Sequence, residues 1–138
     1  MQYKNVLVAT AFSEKCERTL SQAKNIAATY NAKLHLVHFV EPLPASAFTY
    51  AGSTLIDEQR LKGAQDKLDM IAKKFEIAAE DCYLEEALPK AGIVNLAKKL
   101  QIDLTVIGNH GDNFLASIMG CTANSVLHHS LCDILIVK

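Results

Sequence analysis

No apolar run in this 138-residue sequence approaches the roughly 20 residues that a membrane-spanning helix needs. The stretch from Met1 to Ala9 lacks the basic region, longer apolar core and small-residue cleavage site of a secretory signal. A cytoplasmic protein with no membrane partner is therefore expected. Charge of neither sign dominates: 14 Lys and Arg against 15 Asp and Glu leave a formal net charge of −1. Phosphate-backbone binders carry a basic face, so no nucleic-acid partner is expected. The four cysteines, Cys16, Cys82, Cys121 and Cys132, form no Cys-x-x-Cys pair and no Cys/His cluster at zinc spacing. In a reducing compartment they should remain thiols, with Cys16, Cys82 and Cys132 serving as small hydrophobes.

What is present suits one domain, residues 1–138, around one hydrophobic core. Short apolar runs alternate with helical periodicity. Strands are predicted at Asn5–Ala11, Lys33–Val40, Asp81–Leu88, Asp103–Gly108 and Asp133–Val137. The first, fourth and fifth lack polar alternation, as parallel strands buried on both faces do. After Ser13, a candidate N-cap, apolar residues recur at Cys16, Leu20, Ala23, Ala27 and Tyr30, with Asn31 as a stop. Leu61, Ala64, Leu68, Ile71 and Phe75 mark a second helix. A third starts near Pro89, which is tolerated in a first turn, and runs through Ile93, Ala97 and Leu100. A fourth is predicted from about Thr122 through Val126, Leu127 and Ser130. This order predicts an α/β fold: an open, doubly wound, five-stranded parallel sheet with helices on both faces. The long connection Glu41–Thr54, with two prolines, is expected to be either a binding loop or lid, or simply mobile.

The segment Val106–Val126 (VIGNHGDNFLASIMGCTANSV) follows the fourth strand and leads into the fourth helix. Gly108, Gly111 and Gly120 permit close approach of an anion to the backbone. Free N–H groups at a helix start attract negative charge, and the Thr122 hydroxyl can donate one more hydrogen bond. The spacing fits a phosphate cradle, and it equally fits two tight turns and an ordinary helix start.

At the level of whole segments the chain resembles the universal stress protein family. YKNVLVATAFSE is similar to that family's first strand and helix start, and KLHLVHFVEP to its second strand and exit. The run ALPKAGIVNLAKKLQIDLTVIGNHG resembles the third helix and fourth strand, and LHHSLCDILIVK the ending. The resemblance implies a Rossmann-like sheet of the adenine nucleotide alpha hydrolase type. It also implies a homodimer and a part in stress adaptation rather than a defined turnover. Nucleotide-binding members carry Gly-x-x-Gly, a spacer of about nine residues, then Gly with Ser or Thr. By position this nominates Gly108, Gly111, Gly120, Cys121 and Thr122 for phosphate contacts, with Thr10, Ala11 and Phe39 on the adenosine side. His110, between the first two glycines, is open to a phosphate contact or to packing on the sheet edge.

Three departures bear on the ligand. Ala11 stands where the family usually has an acidic residue. The spacer from Gly111 to Gly120 is eight residues, with Cys121 in place of the hydroxyl residue. Asp112 follows the second glycine, where many relatives have a basic residue, and no Lys or Arg occurs between 100 and 137. ATP then needs a metal ion or lysines from elsewhere in the fold, whereas AMP or another less charged ligand needs less.

His35 and His38, three apart on a strand, point to opposite faces and cannot share a metal. Glu85 and Glu86 likewise diverge. His128 and His129 sit near a helix end that favours their charge. The competing enzymatic reading is a slow ATPase or nucleotidyl-transfer protein, with Asp112 as its one nearby carboxylate. A phosphoacceptor receiver domain is excluded because Ala11 and Leu88 occupy its acidic positions. The last strand, Asp133–Lys138, is an apolar edge through which a homodimer is expected.

Overall fold

A computed structural model describes residues 2–10, 12, 16–42, 53–108 and 132–137. The strands are β1 (Asn5–Ala9), β2 (Lys33–Val40), β3 (Cys82–Glu86), β4 (Leu104–Gly108) and β5 (Asp133–Val137). The helices are α1 (Cys16–Tyr30), α2 (Ser53–Lys74) and α3 (Pro89–Leu100). All five strands are parallel, in the order β3-β2-β1-β4-β5.

The burial of β1 explains its unbroken apolar sequence. Val6 and Val8 face one side, where they pack with Leu20, Ala23 and Ala27 of α1 and Leu68 and Ala72 of α2. Leu7 and Ala9 face the other, with Ile93, Leu96 and Ala97 of α3. Successive side chains on a strand alternate, so helices on both faces demand apolar residues at every step. Each fully buried Val, Leu or Ile contributes about 1.5–3 kcal/mol.

The three described helices end alike. Asn31, Glu76 and Gln101 adopt φ of 53, 57 and 55°. The next residue then donates back into the last turn: Ala32 to Ala27 O (2.7 Å), Ile77 to Ala72 O (2.8 Å) and Ile102 to Ala97 O (2.9 Å). This left-handed stop satisfies terminal carbonyls and turns the chain towards the next strand. The predicted stop at Asn31 is one of the three.

Several predicted boundaries are corrected. The first strand ends at Ala9, not Ala11, because the Thr10 carbonyl turns to a side chain rather than to the ladder. The third is shorter than Asp81–Leu88. Ala79–Asp81 forms a 3-10 turn, closed by Asp81 N–H to Ala78 O at 2.9 Å, and Leu88 precedes α3. The fourth starts at Leu104; Asp103, just before it, donates to Asn5 O at 2.9 Å and uses its carboxylate to accept the N–H groups of Lys4 and Asn5, each at 2.8 Å. The second helix starts at Ser53, inside the connection predicted as Glu41–Thr54, and Phe75 lies just past its end. The Ser13 cap and the predicted helix from Thr122 to Ser130 lie outside the described residues.

Candidate functional site

Strand order reverses between β1 and β4, because the chain passes from β1 to β2 on one side and from β4 to β5 on the other. In an open parallel sheet the crevice beyond the carboxyl ends at such a reversal is where ligands bind. The register aligns Val8 with Val106 and Ala9 with Val37. Thr10 directly follows β1 and Gly108 ends β4, so both stand at the carboxyl edge of the sheet, and the β1–β2 register carries Thr10 beside His38.

Thr10 is only 3% exposed, and its groups are all engaged. Its N–H donates to Val37 O at 3.0 Å, and its hydroxyl accepts from Phe12 N–H at 3.4 Å. Its carbonyl lies 2.7 Å from His38 Nδ1. A carbonyl only accepts, so Nδ1 carries the proton and, in the neutral ring, Nε2 is left as an acceptor. Burial holds the His38 pKa below its ordinary value, the Thr10 carbonyl opposes this, and the charge of Lys67 reinforces it.

Phe12 completes this corner. Its φ of 64° is a left-handed conformation that a bulky residue avoids, at a cost of about 1–2 kcal/mol. Its ring lies 3.8 Å from the His38 ring, tilted by 35°. The Lys67 ammonium on α2 stands 6.0 Å from the Phe12 ring centre, within reach of a cation–π attraction. A lysine from outside the glycine segment therefore does approach this edge.

The neighbouring strand ends are tied by Arg60 of α2. Its guanidinium donates to Glu41 O (3.0 Å), Asp57 Oδ1 (2.7 Å) and Glu86 Oε1 (3.3 Å). Glu86 thus faces α2, whereas Glu85 lines a cleft of about 160 Å³ beside α3 with Phe39, Asn95 and Lys99. The two glutamates diverge as their strand spacing predicts. A larger cleft, about 390 Å³, lies at the amino-terminal edge of the sheet. There Lys33 and Lys24 pair with Asp81 (3.1 Å) and Glu76 (3.7 Å).

Of the residues nominated from sequence, Thr10 follows the end of β1 and Gly108 ends β4, on the two strands that flank the reversal. The Phe39 ring is 7% exposed and turned into the α3 face. Ala11, His110, Gly111, Gly120, Cys121 and Thr122 lie outside the described residues, as do His128 and His129. Sequence reasoning missed Phe12, Lys67 and Arg60, and considered His38 only as a metal ligand. No local pattern marks Phe as a left-handed residue. The place of His38 beside Thr10 follows from the β1–β2 register, which aligns Ala9 with Val37, and from no local sequence pattern. His35 and His38 do face opposite sides: His35 Nε2 lies 3.3 Å from Asn5 Oδ1 at the far end of the strands. Cys82 donates to Ala78 O, and burial pushes its thiol up to about 11, which makes it a poor nucleophile.

The sequence model of the universal stress protein family matches residues 2–138. The chain belongs to the universal stress protein family. It is 32% identical over 139 residues to universal stress protein A homolog 2 of Coxiella burnetii, covering 99% of this chain and 95% of that one. Among solved structures, the universal stress protein UspA from Lactobacillus plantarum shares the fold, with a TM-score of 0.74 at 23% identity. That match covers 100% of this chain and 99% of the other. A universal stress protein crystallised in complex with cAMP is 29% identical, with a TM-score of 0.59 and coverage of 100% and 98%. The five-stranded α/β sheet is thus the universal stress protein fold. Among the described residues no helix is long and apolar enough to cross a membrane.

Proposed function

We propose that this universal stress protein is a cytoplasmic, non-catalytic regulator that binds an adenine nucleotide at the β1/β4 reversal and prefers AMP-like ligands to ATP. The observation that carries the reading is that Thr10, just past β1, and Gly108, the last residue of β4, lie at the carboxyl ends of the two strands between which strand order reverses. In this reading the phosphate lies against Gly108, His110, Gly111, Gly120, Cys121 and Thr122, and the adenosine against Thr10, Ala11 and the β2 end at Phe39. The relative in complex with cAMP supports an adenine ligand of low charge. The preference follows from electrostatics. No Lys or Arg occurs between 100 and 137, and Asp112 follows the second glycine. A helix N-terminus offers about 0.3–1 kcal/mol to an exposed anion, too little to balance a triphosphate.

We also propose a homodimer formed through β5. Among the described residues this strand pairs only with β4 and ends the sheet, with Leu135 37% and Ile136 40% exposed. An apolar edge of that kind invites pairing with a second copy.

Isothermal titration with AMP, cAMP and ATP, with and without Mg²⁺, tests the ligand. Binding of AMP or cAMP tighter than metal-free ATP is expected. Absence of binding by all three at millimolar concentration would remove the reading.

A further inference from the structure

We infer that His38 is a positioning residue for the nucleotide: its Nδ1–H, by holding the Thr10 carbonyl, sets the course of the chain where it leaves β1 beside the ligand. This rests on the nucleotide-binding reading above and adds to it the group that shapes the adenosine side.

The chain leaving β1 must depart from the ladder to make room for a ligand, and a departing backbone loses its ladder partners. Among the described residues Thr10 N–H is the last donor from this strand to β2, to Val37 O at 3.0 Å. The next group, the Thr10 carbonyl, is claimed by His38 at 2.7 Å. Two residues on, Phe12 sits at φ 64°, a conformation that persists in a bulky residue only when its surroundings impose it. Here they include the His38 ring at 3.8 Å and the Thr10 hydroxyl on the Phe12 N–H at 3.4 Å. One imidazole therefore grips the exit twice, by a hydrogen bond to Thr10 and by ring contact with Phe12. Among the described residues Lys67 is the charged group that acts on it, and this disfavours the imidazolium. Protonation would in any case keep the Nδ1–H donor, so donation to Thr10, rather than titration, is the property that matters.

The test compares three variants by AMP titration and thermal unfolding, with the His38 imidazole followed by nitrogen NMR. His38→Phe keeps a ring against Phe12 and loses the donor, whereas His38→Asn keeps a donor near the Nδ1 position. Leu96→Ala, in the core of the α3 face, matches a loss of stability without touching the exit. The expected result is AMP affinity about tenfold weaker in His38→Phe and within about threefold of the parent in His38→Asn. Leu96→Ala should retain the parent affinity. In the parent, Nδ1 should carry the proton and its resonance should move when AMP is added. Parent-like affinity in His38→Phe, failure of Asn to rescue, or loss of affinity in Leu96→Ala in step with stability would each overturn the inference. A parent protein that binds no AMP would remove the functional reading itself, and this inference with it. Should His38→Phe fail to fold, the parent's tautomer and its response to AMP decide: an Nε2–H tautomer, or a resonance that AMP leaves in place, overturns the inference.

Discussion

Gly92 and Phe39 pack so closely that a methyl group at position 92 would stand 2.3 Å from Cε1 and 2.7 Å from Cδ1 of the ring. Glycine inside a helix ordinarily costs about 1 kcal/mol relative to alanine. Here the ring takes the space that alanine needs, and both residues are buried. Gly92→Ala should therefore destabilise the protein by about 1–3 kcal/mol, the range for overpacking. Pairing it with Phe39→Val should recover most of that loss. Urea unfolding of the two single variants and the double checks the coupling, and simple additivity would contradict it.

The opposite sign is expected at the end of α3. Gln101 is exposed and holds φ 55°, where glycine has no steric penalty. Its backbone bonds to Lys98 and Asn5 do not need the side chain. Gln101→Gly should stabilise by about 0.5–1 kcal/mol, the strain released less the added chain entropy. A shift of the urea midpoint upward with unchanged slope is the signature.

Acid should weaken the fold through both strand histidines. Burial lowers the pKa of His35, Asp81 opposes this, and Lys33 reinforces it. His35 Nδ1 is buried without a partner, so a proton there would gain no acceptor. His38 is lowered as described. Below the ordinary imidazole value of about 6.5 the unfolded chain binds more protons than the folded one. Stability is therefore present in full above about pH 6.5 and is lost as pH falls towards and through the folded values. His35→Gln can keep a donor to Asn5 without titrating. The difference in unfolding free energy between about pH 7.5 and pH 5 should shrink in that variant, and an unchanged difference would count against the assignment.

Arg60 makes contacts that no lysine can copy. Its fork reaches the Glu41 carbonyl, Asp57 and Glu86 at once, with the side chain only 27% exposed. Arg60→Met should cost about 0.5–1.5 kcal/mol, because the Glu41 and Glu86 acceptors left behind are exposed and only the Asp57 bond is part-buried. Arg60→Lys should recover less than half, because a single ammonium does not span the fork. Unfolding measurements on both variants check this, and full recovery by lysine would refute it.

The β5 edge can be tested directly. A chain of 15.1 kDa should sediment at about twice that mass at micromolar concentration if the strand pairs with a second copy. Leu135→Lys should shift the boundary to the single-chain mass, since a buried unpaired lysine in an interface costs several kcal/mol. A parent protein that sediments at the single-chain mass would rule out the dimer.

Local order was legible because it depends on near neighbours in sequence. The valine-rich run at 5–9, the four-and-three spacing of Cys16 to Tyr30, and Pro89 at a helix start each announce an element. With parallel crossovers obligatory, the element order led to a sheet with helices on both faces. The resemblance of whole segments led to the family. Distant groups were invisible locally: the carboxylate of Asp103, just before β4, accepts from Lys4 and Asn5, some 98 residues away in sequence.

Residue types and their order alone determined the alternation of buried strands and amphipathic helices, and the position of Gly108 at a strand end. The tertiary structure alone decided what Thr10 faces. His38, Phe12 and Lys67 lie on different elements, and nothing in their local sequences requires them to meet. They meet because the β1–β2 register and the packing of α2 on the sheet bring an imidazole within 2.7 Å of a carbonyl that has just left its ladder. Such contacts depend on a separation in space that sequence spacing does not encode.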